Sequence, residues 1–123
     1  MLCLKHYWIS TYSATWQAAN ATCHNKGGTL AKTNKTEYLN FLRNVQNVWV
    51  DGNDIATEGA FVWSDGDSLL NNSEVWDKIY QYPQPDNGRG AAEEDYCMII
   101  YWGPMLHDEN CNRMHIFVCE YNL

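Results

Sequence analysis

Basic residues are scarce in this 123-residue chain: eight Lys and Arg stand against fifteen Asp and Glu, for a formal net charge of −7. A phosphate-binding surface needs a Lys/Arg patch, and these few cations are scattered, so nucleic acid is excluded as a partner. Long apolar runs are missing too. No window reaches the roughly 18 apolar residues of a membrane span, and Met1 to Ile9 carries no apolar core behind a basic head, so membrane insertion is not expected. No cysteine pair is spaced Cys-x-x-Cys, which excludes zinc-ribbon and thioredoxin-like readings. HExxH, a phosphate loop and a Ser or Cys nucleophile paired with a base are also absent. His107-Asp108 with Glu94 could be drawn as an acid/base set, but nothing else supports catalysis, and the chain is not expected to be an enzyme. Without repeats, linkers or low-complexity segments, residues 1–123 read as one domain.

What is present points to a compact, extracellular fold. The apolar fraction is 46%, enough for a real core, and the six Trp and eight Tyr supply both core volume and flat faces for sugars or protein partners. Five Cys, with Asn20-Ala21-Thr22, Asn34-Lys35-Thr36 and Asn71-Asn72-Ser73 as glycosylation sequons, suggest a secreted chain whose signal peptide has been removed. A bridge between Cys97 and Cys111 would hold the acidic and His-Asp segments together, and a second could tie Cys23 to Cys119. Cys3 is then left over, as a free thiol or as a bridge to a second subunit.

The periodicity changes along the chain. Ser13 can cap a helix running to Lys26, with Trp16, Ala19 and Cys23 on one face and Gly27-Gly28 ending it. A second helix is predicted from about Thr36 to Val45, on the stripe Tyr38, Leu39, Phe41, Leu42 and Val45. Beyond it, Trp49-Val50, Phe61-Val62-Trp63, Met98-Ile99-Ile100-Tyr101 and Ile116-Phe117-Val118 are short apolar runs bounded by turn residues, which read as strands. Asp65 to Cys97 is long, polar and aperiodic, and a loop of that length in a small domain is usually functional.

The most informative chemistry runs from Gln84 to Cys111. Gln84-Pro85-Asp86, then Glu93-Glu94-Asp95, Cys97, His107-Asp108 and Cys111 gather amide and carboxylate oxygens around a proline turn. Calcium is a hard cation that takes about six to eight oxygen ligands.

In order along the whole chain, Trp16…Cys23, Gly28-Thr29-Leu30-Ala31, Trp49-Val50, Glu58-Gly59-Ala60-Phe61-Val62-Trp63-Ser64-Asp65-Gly66, Gln84-Pro85-Asp86, Cys97, Cys111 and Val118-Cys119-Glu120 resemble the C-type lectin-like domain. The resemblance implies an α+β fold with two helices flanking two small antiparallel sheets, a long calcium and sugar loop region, and bridges Cys23–Cys119 and Cys97–Cys111. It lacks the N-terminal hairpin and extra cysteine pair of the long form, which leaves Cys3 unpaired inside the domain.

In that family Gln-Pro-Asp is the galactose-type loop and Glu-Pro-Asn the mannose type. A cis bond before Pro85 would turn Gln84 and Asp86 toward one ion, leaving two coordination positions for adjacent sugar hydroxyls. Gln84 supplies an NH₂ donor and Asp86 an acceptor, the reverse of the mannose-type order. The resemblance makes Gln84, Asp86, Glu94 and Asp108 the calcium ligands, with Asp95 as the alternative to Glu94 and Glu93 the poorer candidate. The family's Trp-Asn-Asp falls on Leu106-His107-Asp108. His107 is a departure, because imidazole nitrogen is a poor ligand for a hard cation. Calcium is then weaker here, or water fills its place, or His107 hydrogen-bonds the sugar; an exposed loop histidine without a role is the remaining reading. Trp102, rather than Tyr101, is the ring expected against the apolar face of the sugar. A second ion position can be drawn on Asp54, Glu58, Asn87 and Asp95, with structural hydrogen bonding of Glu58 as the alternative.

The expected function is calcium-dependent binding of galactose or N-acetylgalactosamine type glycans, on cells or microbes, through Gln84, Asp86, Trp102, His107 and Asp108. The alternative is a sugar-silent domain of the same fold that binds a protein. A single shallow sugar site gives little avidity, so a homodimer is expected, with Cys3 as a possible link.

Overall fold

A computed structural model describes residues 5–42, 44–57, 59–70, 73–77, 96–101 and 105–122. Along them run β1 (Lys5–Ile9), α1 (Trp16–Asn25), β2 (Thr29–Leu30), α2 (Thr36–Phe41), β3 (Val48–Asn53), β4 (Phe61–Val62), β5 (Ser68–Leu69), β6 (Tyr96–Ile100), β7 (Leu106–Asn110) and β8 (Ile116–Asn122). This is the α+β fold that the motifs implied.

β8 is the seam of the molecule. It pairs antiparallel with β1, from Ile9↔Val118 to Lys5↔Asn122, and with β2 at Leu30↔Cys119, while its first residues run parallel to β3 at Val48↔Ile116 and Trp49↔Phe117. β3 pairs antiparallel with β4 and β6, β4 with β5, and β6 with β7. The two small antiparallel sheets are therefore continuous through β8, whose seven residues are long enough to serve both.

α1 starts two residues later than the sequence suggested. Ala14 exchanges backbone hydrogen bonds with His115 (2.9 and 3.0 Å), which holds residue 14 extended and denies Ser13 the cap. Thr15 caps instead, its side chain accepting from Ala18 N. At the other end Gly27 takes φ +85° while its N–H reaches His24 O and that of Gly28 reaches Cys23 O. These two bonds form a Schellman stop. α2 is shorter than predicted, because Leu42 N already bonds back to both Tyr38 O and Leu39 O and Asn47 N is drawn to Ile100 O. Of its expected stripe, Leu39 and Leu42 are buried but Phe41 is 75% exposed.

Both expected disulfides form, Cys23–Cys119 and Cys97–Cys111, with Cα–Cα distances of 5.4 and 5.1 Å. The first closes a separation of 96 residues and ties the buried face of α1 to β8. Much of the tryptophan load lies in the core. Trp16, Trp49 and Trp76 are buried, and their indole N–H groups donate to Val50 O, Ala14 O and Leu70 O at 3.0, 2.9 and 3.2 Å. Burying an indole with its N–H paired keeps the apolar gain without stranding a donor.

One core carboxylate stands out. Asp51, 2% exposed on β3, accepts from the Ser64 N–H at 2.9 Å and from the Ser64 hydroxyl, linking β3 to the turn after β4. Burial raises its pKa above the ordinary carboxylate value, against the opposing effect of those hydrogen bonds.

Candidate functional site

The site region is built on the β6–β7 hairpin. The strands are in register from Tyr96↔Asn110 through Met98↔Asp108 and Ile99↔His107 to Ile100↔Leu106, and Cys97–Cys111 clamps the hairpin at the Tyr96 end. β6 is buried throughout, which explains its continuous apolar run, whereas β7 reads Leu-His-Asp-Glu-Asn and has no strand signature in the sequence.

Segment 78–95 lies outside the described residues, and with it the expected sites Gln84, Asp86 and Glu94, as well as Glu93, Asp95 and Asn87. Cys3, Glu58 and Trp102 lie outside them as well. The two residues that bound the segment are well held. At its start, Leu106 N donates to Val75 O (2.9 Å) and Asp77 N to Leu106 O (3.1 Å), adding the Trp76 stretch parallel to β7. At its end, Tyr96 N donates to Asp54 Oδ1 (2.9 Å) and Asp54 N to Tyr96 O (3.1 Å). The segment thus leaves from one end of β7 and returns opposite the other, with Asp108 midway along that strand.

His107 and Asp108 are therefore strand residues. His107 is 6% exposed, its Nε2 lies 2.9 Å from Asp77 Oδ2, and the Tyr101 ring packs on it at a centroid distance of 4.6 Å. This corrects the reading of His107 as an exposed loop histidine. Tyr101, the weaker aromatic candidate in the sequence, is 38% exposed and so is not a core ring. Asp77 was missed altogether: it sits in an aperiodic polar stretch, and the one signal beside it was Trp76, whose complete burial pins the chain there.

The neighbouring carboxylates are already committed. Asp54, 1% exposed, accepts from Tyr96 N at Oδ1 and from Gly59 N at Oδ2 (3.0 Å), so both of its oxygens order the backbone. Glu109 is partly buried, which would raise its pKa, but hydrogen bonds from His115 and Asn110 N and the nearby charges of His115 and Arg113 bring it below the ordinary value. For a calcium ion, Asp108 is an oxygen donor of the right kind. Position 107 is not: it offers an imidazole engaged with Asp77 where the family pattern has an amide oxygen. Among the described residues no group of three or more His, Cys, Asp or Glu could hold a metal alone. Further carboxylates for an ion at Asp108 would thus come from outside them.

The chain matches the sequence profile of the family described as "Lectin C-type domain" over residues 12–121. It is 29% identical over 119 residues to the galactose-specific lectin nattectin of Thalassophryne nattereri, covering 90% of this chain and 70% of that one. It is 30% identical over 122 residues to C-type lectin domain family 10 member A of Mus musculus, covering 95% of this chain but 38% of that protein. The solved carbohydrate-recognition domain of the mouse scavenger receptor C-type lectin superposes with a TM-score of 0.80 at 24% identity, over 96% of this chain and 88% of that one.

Proposed function

Because the chain belongs to the C-type lectin domain family, we propose that it is a calcium-dependent lectin for galactose or N-acetylgalactosamine type glycans, with Gln84, Asp86, Glu94 and Asp108 as the calcium ligands. Domains of this family are generally non-enzymatic carbohydrate-binding modules and typically bind Ca²⁺. The observation that best supports the reading is the anchoring of Asp77 and Tyr96 on either side of Asp108, because the segment they bound contains Gln84-Pro85-Asp86 and Glu94. Nattectin's galactose specificity agrees with the Gln-Pro-Asp order.

When bound, the ion would supply a hard cation to which two adjacent sugar hydroxyls can bind. The chain's own residues do the selecting. Gln84 donates and Asp86 accepts, matching one hydroxyl pair over its epimer, while Trp102 offers a flat face to the sugar's C–H groups. His107, tied to Asp77, acts from beneath as support for the Asp108 strand. We further propose a secreted protein that works as a homodimer, since one shallow site gives little avidity, with Cys3 as the candidate link.

The test is retention on immobilised galactose in calcium buffer, with elution by EDTA and by free galactose. Retention that survives excess EDTA would overturn the calcium mechanism. The second reading, a sugar-silent domain that binds a protein, is favoured by the imidazole at position 107; the complete absence of galactose retention from a correctly folded protein would select it. Non-reducing electrophoresis and gel filtration of the wild type and Cys3→Ser test the dimer, and a monomer in both would remove it.

A further inference from the structure

We propose that Asn34 carries an N-linked glycan and that Asn20, an equally good sequon by sequence, does not. The two differ in what the fold does with them. Asn20 lies inside α1, four residues after Trp16 and three before Cys23, hence on the face that turns those residues into the core. Asn20 is half-buried and its Oδ1 is buried without a hydrogen-bond partner, so that end of the carboxamide faces protein. A saccharide on Nδ2 of that carboxamide would crowd the face of α1 that carries Trp16 and Cys23.

Asn34 is placed in the opposite way. It follows β2 in a segment without regular structure, and Lys35 after it is extended, at φ −133° and ψ 145°. Asn34 is half-buried, and Lys35 and Thr36 after it are exposed, so the sequon opens to solvent from its second residue on. The Asn34 side chain lines the mouth of an open groove of about 450 Å³, together with Asp67, Ser68, Leu70 and Ser73. Leu70 is 65% exposed there, and the first sugars of a glycan would cover it with a hydrated surface that no packed element has to yield to. Of the groove's lining, Asp67 is paired with Lys32 Nζ at 2.6 Å.

The reaction is a glycosyl transfer. Asn34 Nδ2 attacks the anomeric carbon of a polyprenyl-diphosphate-linked oligosaccharide; the C1–N bond forms, the C1–O bond to the diphosphate breaks, the polyprenyl diphosphate leaves with the electron pair, and the amide nitrogen releases one proton. The two disulfides belong to the oxidising compartments in which such donors act on secreted chains.

The test is secretion of the full chain from a eukaryotic host, followed by peptide N-glycosidase in ¹⁸O-water and peptide mass mapping. Site-level reading separates Asn34 from the Asn71-Asn72-Ser73 sequon. The expected result is an ¹⁸O-labelled Asp at position 34, none at position 20, and loss of the label in Thr36→Ala, an exposed change that leaves Asn34 and the fold in place. Unlabelled Asn34 in the wild type, a label at Asn20, or a label at 34 that persists in Thr36→Ala would each overturn the proposal.

Discussion

His107 Nε2 and Asp77 Oδ2 lie 2.9 Å apart with side chains only 8% and 6% exposed, joining β7 to the last described residue before segment 78–95. Together with the backbone bonds of Leu106 to Val75 and Asp77, the pair is a latch that sets where segment 78–95 departs. Buried polar pairs of this kind hold geometry as much as they add energy.

Removing the acceptor tests the latch. Asp77→Ala should lower stability in urea by about 1–3 kcal/mol, the usual cost of breaking a buried hydrogen bond from one side, and galactose retention should fall with it. Asp77→Asn keeps an oxygen that can accept from the imidazole and should lose much less on both measures. An alanine variant as stable as the wild type would deny the pair any structural role.

Position 107 gives a prediction of the opposite sign. His107→Asn restores the amide oxygen of the family pattern beside Asp108 and shortens the side chain away from Asp77. Calcium affinity by isothermal titration calorimetry should therefore rise while the denaturation midpoint falls. Unchanged calcium affinity would mean that residue 107 does not face the proposed ion.

These two tests concern a part of the molecule that the sequence half conceals. The helix stop at Gly27-Gly28 and the pairing of four cysteines are legible because each depends on few, local or family-specific residues. Thr15 displaces Ser13 as the cap only because Ala14 pairs with His115, a contact between residues 101 apart in number that no local pattern announces. β7 escapes notice for a related reason: it is held by register with β6 and by Trp76, and its polar side chains are accommodated one by one, His107 by Asp77 and Glu109 by His115. Asp108 falls in a family motif and so is legible as a candidate, whereas Asp77, which steadies its strand, has no motif.

Asp51 predicts how stability varies with pH. Its folded pKa is raised, so the folded state keeps a proton that the unfolded chain has already lost. Its charge therefore disfavours folding above the folded pKa, and the penalty disappears as pH falls through the ordinary carboxylate range. Asparagine can accept from Ser64 N–H with its oxygen and donate to the Ser64 hydroxyl with its NH₂, so Asp51→Asn keeps the contacts without the charge. The melting temperature of the variant minus that of wild type should be positive near neutral pH and shrink toward about pH 3, below the ordinary Asp value. A difference that is flat with pH would show that Asp51 titrates alike in both states.

Gly28 is required for space rather than for backbone freedom. A Cβ there would sit on the Glu120 carbonyl oxygen and 2.7 Å from Tyr121 Cδ1. Neither can yield cheaply, because β8 is held on this stretch by both β1 and β2. Gly28→Ala should destabilise the domain by about 1–3 kcal/mol, the typical cost of overpacking, with the urea midpoint as the measurement. Galactose retention at temperatures where the variant remains folded should be unchanged, because the strain falls first on Glu120 and Tyr121 of β8 rather than on the β6–β7 hairpin. A variant of wild-type stability would mean that α1 and β8 can separate locally, and the close packing of Gly28 on β8 would then not be what fixes the helix against the sheet.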